Sequence, residues 1–192
     1  IDYLIATHPH EDHIGGLEGI GFMNYFVFNQ KPNLYIASDD MAHELWQSLK
    51  GGMQTGQHYN PEILELNKKN KGKFKKLVRE GLEEELYVPF SLDKYFNVNI
   101  TKLINSDNLP TIKLFPTMHA PFMENYGLRI GNNGEIYYSG DTIEMPPSEP
   151  EIIFQDCQFV KGGVHISYEE LKILPDNVKA KVHLVHLGKG YE

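Results

Sequence analysis

Cysteine is almost absent: Cys157 stands alone in 192 residues. The chain therefore cannot close a disulfide on itself and suits a reducing, cytoplasmic setting. No run of 18 apolar residues occurs, so no helical membrane span is expected. Basic residues are in the minority, 18 Lys and Arg against 26 Asp and Glu, and the net charge is −8. That balance argues against a surface devoted to long nucleic acid, which needs a basic footprint. It leaves room for a nucleotide, because a bound metal brings its own positive charge. The sequence opens without an initiator Met and shows no internal repeat. What remains, 41% hydrophobic and 23% charged, is ordinary for one globular domain with a core.

Against that plain background stands Thr7-His8-Pro9-His10-Glu11-Asp12-His13-Ile14-Gly15-Gly16. Three imidazoles and the carboxylate of Asp12, with Glu11 beside it, fall within six residues, shortly after the apolar run Tyr3-Leu4-Ile5-Ala6, where a strand ends and a loop begins. Imidazole and carboxylate suit zinc, manganese or iron. The H-x-H-x-D-H spacing turns His8 and His10 towards one ion, and Asp12 and His13 towards a second.

The pattern resembles the metallo-β-lactamase superfamily, and further residues follow in the order the family uses. His119 in Pro116-Thr117-Met118-His119 matches the third histidine of the first metal. Asp141 in Ser139-Gly140-Asp141 matches the bridging aspartate, and His186 in Leu184-Val185-His186-Leu187 the last ligand of the second metal. A carboxylate suits the bridge because it offers two oxygens where an imidazole offers one lone pair. The resemblance implies an α/β fold, the αββα sandwich of that superfamily, over 1–192 as a single domain. Family members place several strands before the metal motif. The chain is therefore expected to be a fragment or processed product lacking its first strands, or to receive them from another chain.

Strand and helix signals agree with alternating α and β elements. They include strands at Asn33–Ser38, Thr111–Phe115, Ile152–Phe154 and Val182–Leu187, and a hairpin across Gly131–Gly134. Helices are expected after Gly16, from Ser38 to a stop at Gly51-Gly52, and from a capping box at Ser167 through Leu174. Residues 54–107 read as an insertion, containing a helix from Pro61 and the aromatic runs Tyr87–Phe90 and Tyr95–Val98, which could wall a pocket. Within it Lys68, Lys69, Lys71, Lys73, Lys75 and Lys76 are either a solvated turn or an arm that grips phosphate.

Two metal ions about 3.5–4 Å apart share a hydroxide and stabilise attacking and leaving oxygens, which makes hydrolysis the expected chemistry. Gly163-Val164-His165-Ile166-Ser167 resembles the His-Ser-Thr element of the superfamily's phosphodiesterase branch, which includes ribonuclease Z and cyclic-nucleotide-cleaving relatives. In that branch the histidine protonates or stabilises the departing oxygen, so His165 becomes the candidate general acid. Gln155 and Asp156 stand where ribonuclease Z has a histidine and a glutamate, and Asp156 is expected to orient His165.

The resulting expectation is a di-metal phosphodiesterase, with two divalent ions, zinc ahead of manganese or iron. Its catalytic residues are Asp12, His165 and Asp156, and its substrate is a nucleotide, a cyclic nucleotide or a short nucleic-acid end. A homodimer is expected. The alternative is hydrolysis of a lactone, thioester or β-lactam carbonyl. A metal-shaped regulatory module without turnover is the third reading. His43, His58 and His183 are not assigned to the site, and Cys157 is read as a small buried hydrophobe.

Overall fold

The computed structural model describes residues 1–54, 57–59 and 87–187. The lysine run, the helix from Pro61 and most of the expected insertion lie outside the described residues.

Strand β1 (Tyr3–Ile5) pairs in parallel with β2 (Asn33–Ile36). The short strands β3 (Gln57–Tyr59) and β4 (Tyr87–Pro89) form an antiparallel pair of their own. Then β5 (Asn97–Ile100) returns to lie parallel beside β2, completing a three-stranded sheet.

A six-stranded sheet follows, built from β6 (Leu103–Ser106), β7 (Leu109–Pro116), β8 (Tyr126–Ile130), β9 (Ile136–Tyr138), β10 (Ile152–Asp156) and β11 (Val182–Val185). Its strands lie in sequence order, antiparallel from β6 to β9 and parallel from β9 to β11. Side chains alternate across β7 as the pleat requires: Ile112 and Leu114 are buried and Lys113 is exposed. They join Leu34, Ile36 and Ile104 in the larger core. Phe115 packs instead with Tyr137 and Ile153 in a second core. The six-stranded sheet is thus covered on both faces, as a middle layer must be.

On the outer side of the larger core runs α3 (Asp39–Met53), the fourth helical element after α1 (Glu11–Ile14), α2 (Leu17–Phe22) and a π-helical turn at Met23–Phe28. Ser38 caps α3 by accepting the Met41 N–H, and Met41, Leu45, Leu49 and Met53 recur every four residues on its buried face. The expected stop at Gly51-Gly52 is corrected, for the helix runs through both glycines to Met53. Each glycine costs about 1 kcal/mol relative to Ala. Fully burying Met53 returns about 1.5–3 kcal/mol, and its carbonyl also accepts the Tyr95 hydroxyl at 2.8 Å.

Tyr95 ends the short helix α4 (Leu92–Tyr95), and both it and Phe96 are core residues rather than a pocket wall, which corrects that expectation. The second core is closed by α5 (Tyr168–Leu171) and α6 (Asp176–Lys179). Ser167 and Glu170 form the expected capping box, but the helix ends at Leu171, where a turn lets Leu174 fold back into the core.

Candidate metal centre

Most residues singled out for the site stand at or shortly after the end of a strand, while Asp12 and His13 lie in a short helix and His165 in a loop. After β1 the chain buries Thr7 and His8, then enters α1, which carries Asp12 and His13. A loop was expected there; instead the four-residue helix starts at Glu11, directly after His10. His119 follows β7, Asp141 follows β9, Asp156 ends β10, and His165 lies between β10 and α5. Gly140 makes the turn before Asp141 with φ of +61°, and a Cβ there would meet the Tyr126 carbonyl oxygen at 2.5 Å. His186, one residue past β11, also has a left-handed φ of 59°, an uncommon conformation for a non-glycine residue and one that gathers at functional sites.

The ligand atoms of His8, His10, His119 and Asp141 lie within 4.8 Å of one another, and those of Asp12, His13 and His186 make a second such group. Asp141 stands between the two. Its Oδ2 is 3.6 Å from His8 Nε2 and 3.8 Å from His119 Nε2, while Oδ1 is 3.2 Å from His13 Nε2 and 3.7 Å from His186 Nδ1. The structure therefore brings together all seven residues proposed as metal ligands.

Whether the group suits a cation can be judged from its own atoms. His8 Nε2, His13 Nε2 and Asp141 Oδ2 are buried and make no hydrogen bond. Each such atom costs about 1–3 kcal/mol if left unsatisfied. His119 donates Nδ1–H to the Val164 carbonyl at 2.7 Å, which leaves a lone pair on Nε2, yet that atom faces His10 Nδ1 at 3.3 Å. Orphaned acceptors converging on a shared carboxylate fit a divalent ion at each group.

Electrostatics point the same way. Burial, then the neighbouring His13, pushes the His8 imidazole down to about 3, so it is neutral with a lone pair to offer. Burial also lowers His119, outweighing its bond to Val164. Burial would raise Asp141, but the approach of His13 and the surrounding imidazoles outweigh it and hold the carboxyl down at about 2. The His186 contact lowers Asp12. For His186 burial works downward, yet Asp12, Asp141 and Asp156 together raise it. Carboxylates that draw a proton to an imidazole draw a metal cation by the same field.

Behind the candidate ligands, the fully buried Asp156 uses both oxygens. Oδ2 accepts the Thr142 N–H and lies 2.8 Å from His165 Nδ1, while Oδ1 lies 3.2 Å from His186 Nδ1. The contact to His165 is the one expected from sequence; the contact to His186 was missed. So were Thr7, whose hydroxyl lies 3.2 Å from His8 Nδ1, and the Val164 carbonyl that orients His119. A backbone carbonyl leaves no signal in a sequence.

Of the unassigned residues, His43 and His183 sit apart from the centre, while Asn125 supports Asp141. His43 is exposed and contacts Gln47, and His183 is exposed against the Phe154 ring on the opposite face of β11 from the centre. Cys157 is fully buried. Asn125 donates to Thr117 and to the Asp141 carbonyl, Tyr126 bonds Glu124, and Arg129 lies over the Phe115 and Tyr137 rings. His58 falls where only the backbone is described.

The sequence model of a family described as "Anti-Pycsar protein Apyc1" matches residues 1–192. The chain is 31% identical over 208 residues to the Anti-Pycsar protein Apyc1 of Bacillus phage BSP38, covering all of this chain and 70% of that protein. To the protein of the same name from Paenibacillus harenae it is 30% identical over 200 residues, covering 98% of this chain and 69% of that one. Among solved structures it superposes on the metallo-β-lactamase fold protein YhfI from Bacillus subtilis with a TM-score of 0.59 at 15% identity. That match covers 97% of this chain and 65% of the other, and it shows the fold to be that of the metallo-β-lactamases. Among the described residues no helix is long and apolar enough to cross a membrane.

Proposed function

The chain belongs to the Anti-Pycsar protein Apyc1 family, and on that premise we propose that it is a metal-dependent hydrolase that opens the phosphodiester ring of a cyclic nucleotide. The observation that supports this reading best is the placement of His165 beside two metal-competent groups, with its Nδ1 engaged by Asp156. His8, His10 and His119 would hold one ion, Asp12, His13 and His186 the other, and Asp141 both. Divalent ions bound there would supply Lewis acidity and an activated water at neutral pH. Zinc suits this donor set, as do manganese and iron.

The chain's own contribution is geometry and a proton. Asp141 lies between the two groups, and Asp12 contacts His13 and His186 in the second. Asp156 takes the Nδ1 proton of His165 in a hydrogen bond, so the transferable proton is carried on Nε2. As water oxygen bonds to phosphorus and one ring P–O bond breaks, that proton goes to the departing alkoxide. The product is a nucleoside monophosphate, and His165 is reprotonated by the proton that the water loses. A homodimer in the cytoplasm and a single domain over 1–192 complete the proposal, with the insertion expected at 54–107 ending before β5, because β5 and β6 are strands of the two sheets.

Metal analysis of the purified protein is expected to give close to two equivalents per chain. His186→Ala should lower that number towards one, and His183→Ala should leave it at two. The reverse outcome would reassign the last ligand. Activity on cyclic mononucleotides, an acyclic phosphodiester, a lactone and a β-lactam, each with zinc and manganese, tests the reaction class. Turnover of the carbonyl substrates alone would refute the phosphodiesterase reading.

A further inference from the structure

A cavity of about 680 Å³ opens beside the metal groups and shares His119 with them. Met118, Phe122, Met123 and Ile143 are among its lining residues, Glu144 is another, and no Lys or Arg is among its described lining residues. Such a surface suits an uncharged planar ring. A second phosphate would meet the Glu144 carboxylate with nothing to compensate it.

Phe122 is the unusual member. Its side chain is 106% exposed, the most of any large hydrophobic residue described, and its φ is 63°. A bulky residue in the left-handed region is strained, and a phenyl ring held in water gives up the burial that would stabilise it. Both costs fall on the loop that begins at His119, three residues from a metal-binding position, where a substrate phosphate would sit.

We infer that this cavity is the nucleobase site and that Phe122 is its stacking platform, which sets the preference for nucleotides over other phosphodiesters. The inference rests on the cyclic-nucleotide reading above. A base stacked on Phe122 covers the exposed ring and presents its N–H edge to Glu144. One carboxylate oxygen of Glu144 is already held by the Met118 N–H at 3.0 Å, which fixes its direction. Every base has a π-face, so the platform tolerates purines and pyrimidines alike.

The test compares a 3′,5′-cyclic nucleoside monophosphate with methyl p-nitrophenyl phosphate, which has no base. Phe122→Ala is expected to raise the ratio of their KM values about 5- to 150-fold, the range that base stacking on an aromatic ring spans. Phe122→Trp should restore the ratio. Its added indole fluorescence should be quenched by a nucleoside 5′-monophosphate and not by ribose 5-phosphate. A ratio within twofold of the parent in Phe122→Ala, or equal quenching by the two ligands, overturns the inference. So does a loss that is equal on both substrates and accompanied by a smaller sedimentation coefficient, which would place a second copy of the chain over Phe122. If the parent protein cleaves no cyclic nucleotide, the functional reading fails by itself, and the quenching comparison still decides the base site.

Discussion

Asp156→Asn is expected to fold, to bind its second metal ion about 10- to 100-fold more weakly, and to lose up to about 10⁴-fold in turnover. The carboxylate serves three donors with two oxygens: the Thr142 N–H and His165 Nδ1 at Oδ2, and His186 Nδ1 at Oδ1. An amide of the same shape has one acceptor and one donor end. If the carbonyl stays with Thr142 and His165, the amide N–H faces His186 Nδ1 and forces its proton onto Nε2. That nitrogen is the one 3.0 Å from Asp12 Oδ2, and it then has no lone pair for a metal. The other orientation sets the amide N–H against the Thr142 N–H and misdirects His165. Either way one histidine carries its proton on the wrong nitrogen. Metal titration beside steady-state kinetics measures both losses. A variant with parental affinity for both ions and turnover within threefold would show that Asp156 is mere packing.

His165→Ala should keep both metal ions, since His165 is outside the seven proposed ligands and its Nδ1, which lies with the ligand atoms of Asp141, Asp156 and His186, is engaged by Asp156, and it should lose about 10²- to 10⁴-fold on an unactivated phosphodiester. The reason is the leaving group. An alkoxide departs poorly at neutral pH unless a proton reaches it, whereas nitrophenolate departs without one. With a nitrophenyl phosphodiester the same variant should lose less than about tenfold. His165 is well placed for this difference, with its ring centroid 4.8 Å from that of His119 and 4.9 Å from that of His186. Equal losses on the two substrates would make it a positioning residue and remove the general-acid step.

The candidate site was more legible in the sequence than the fold around it. Ligand spacing is short-range, so Thr7 to Gly16 announces itself, and Asp141 could be placed because a recognisable hairpin leads into it. The carboxylate of Asp156 was noticed through its neighbour His165. Its hold on His186 depends on the parallel pairing of β10 with β11, which brings Asp156 level with Val185, and parallel register is not written in either strand alone. The helix stop at Gly51-Gly52 failed for the opposite reason. A local signal there was outweighed by the burial of Met53 against residues more than forty positions away. Phe122 left no signal, because an aromatic residue after a strand reads as core until its exposure is seen.

His8, His10, Asp12 and His13 belong to the segment after β1 in the three-stranded sheet, while His119, Asp141 and His186 follow strands of the six-stranded one. Each ion would therefore be held by residues from both sheets. Metal occupancy and sheet docking are then linked by mass action. An ion present at about 100 times its dissociation constant adds about 2.7 kcal/mol to the docked arrangement. A chelator that strips the ions withdraws that contribution and the reactive centre together. Resistance to unfolding would thus follow the supply of divalent metal, so that a cell starved of it would lose the enzyme's durability along with its turnover.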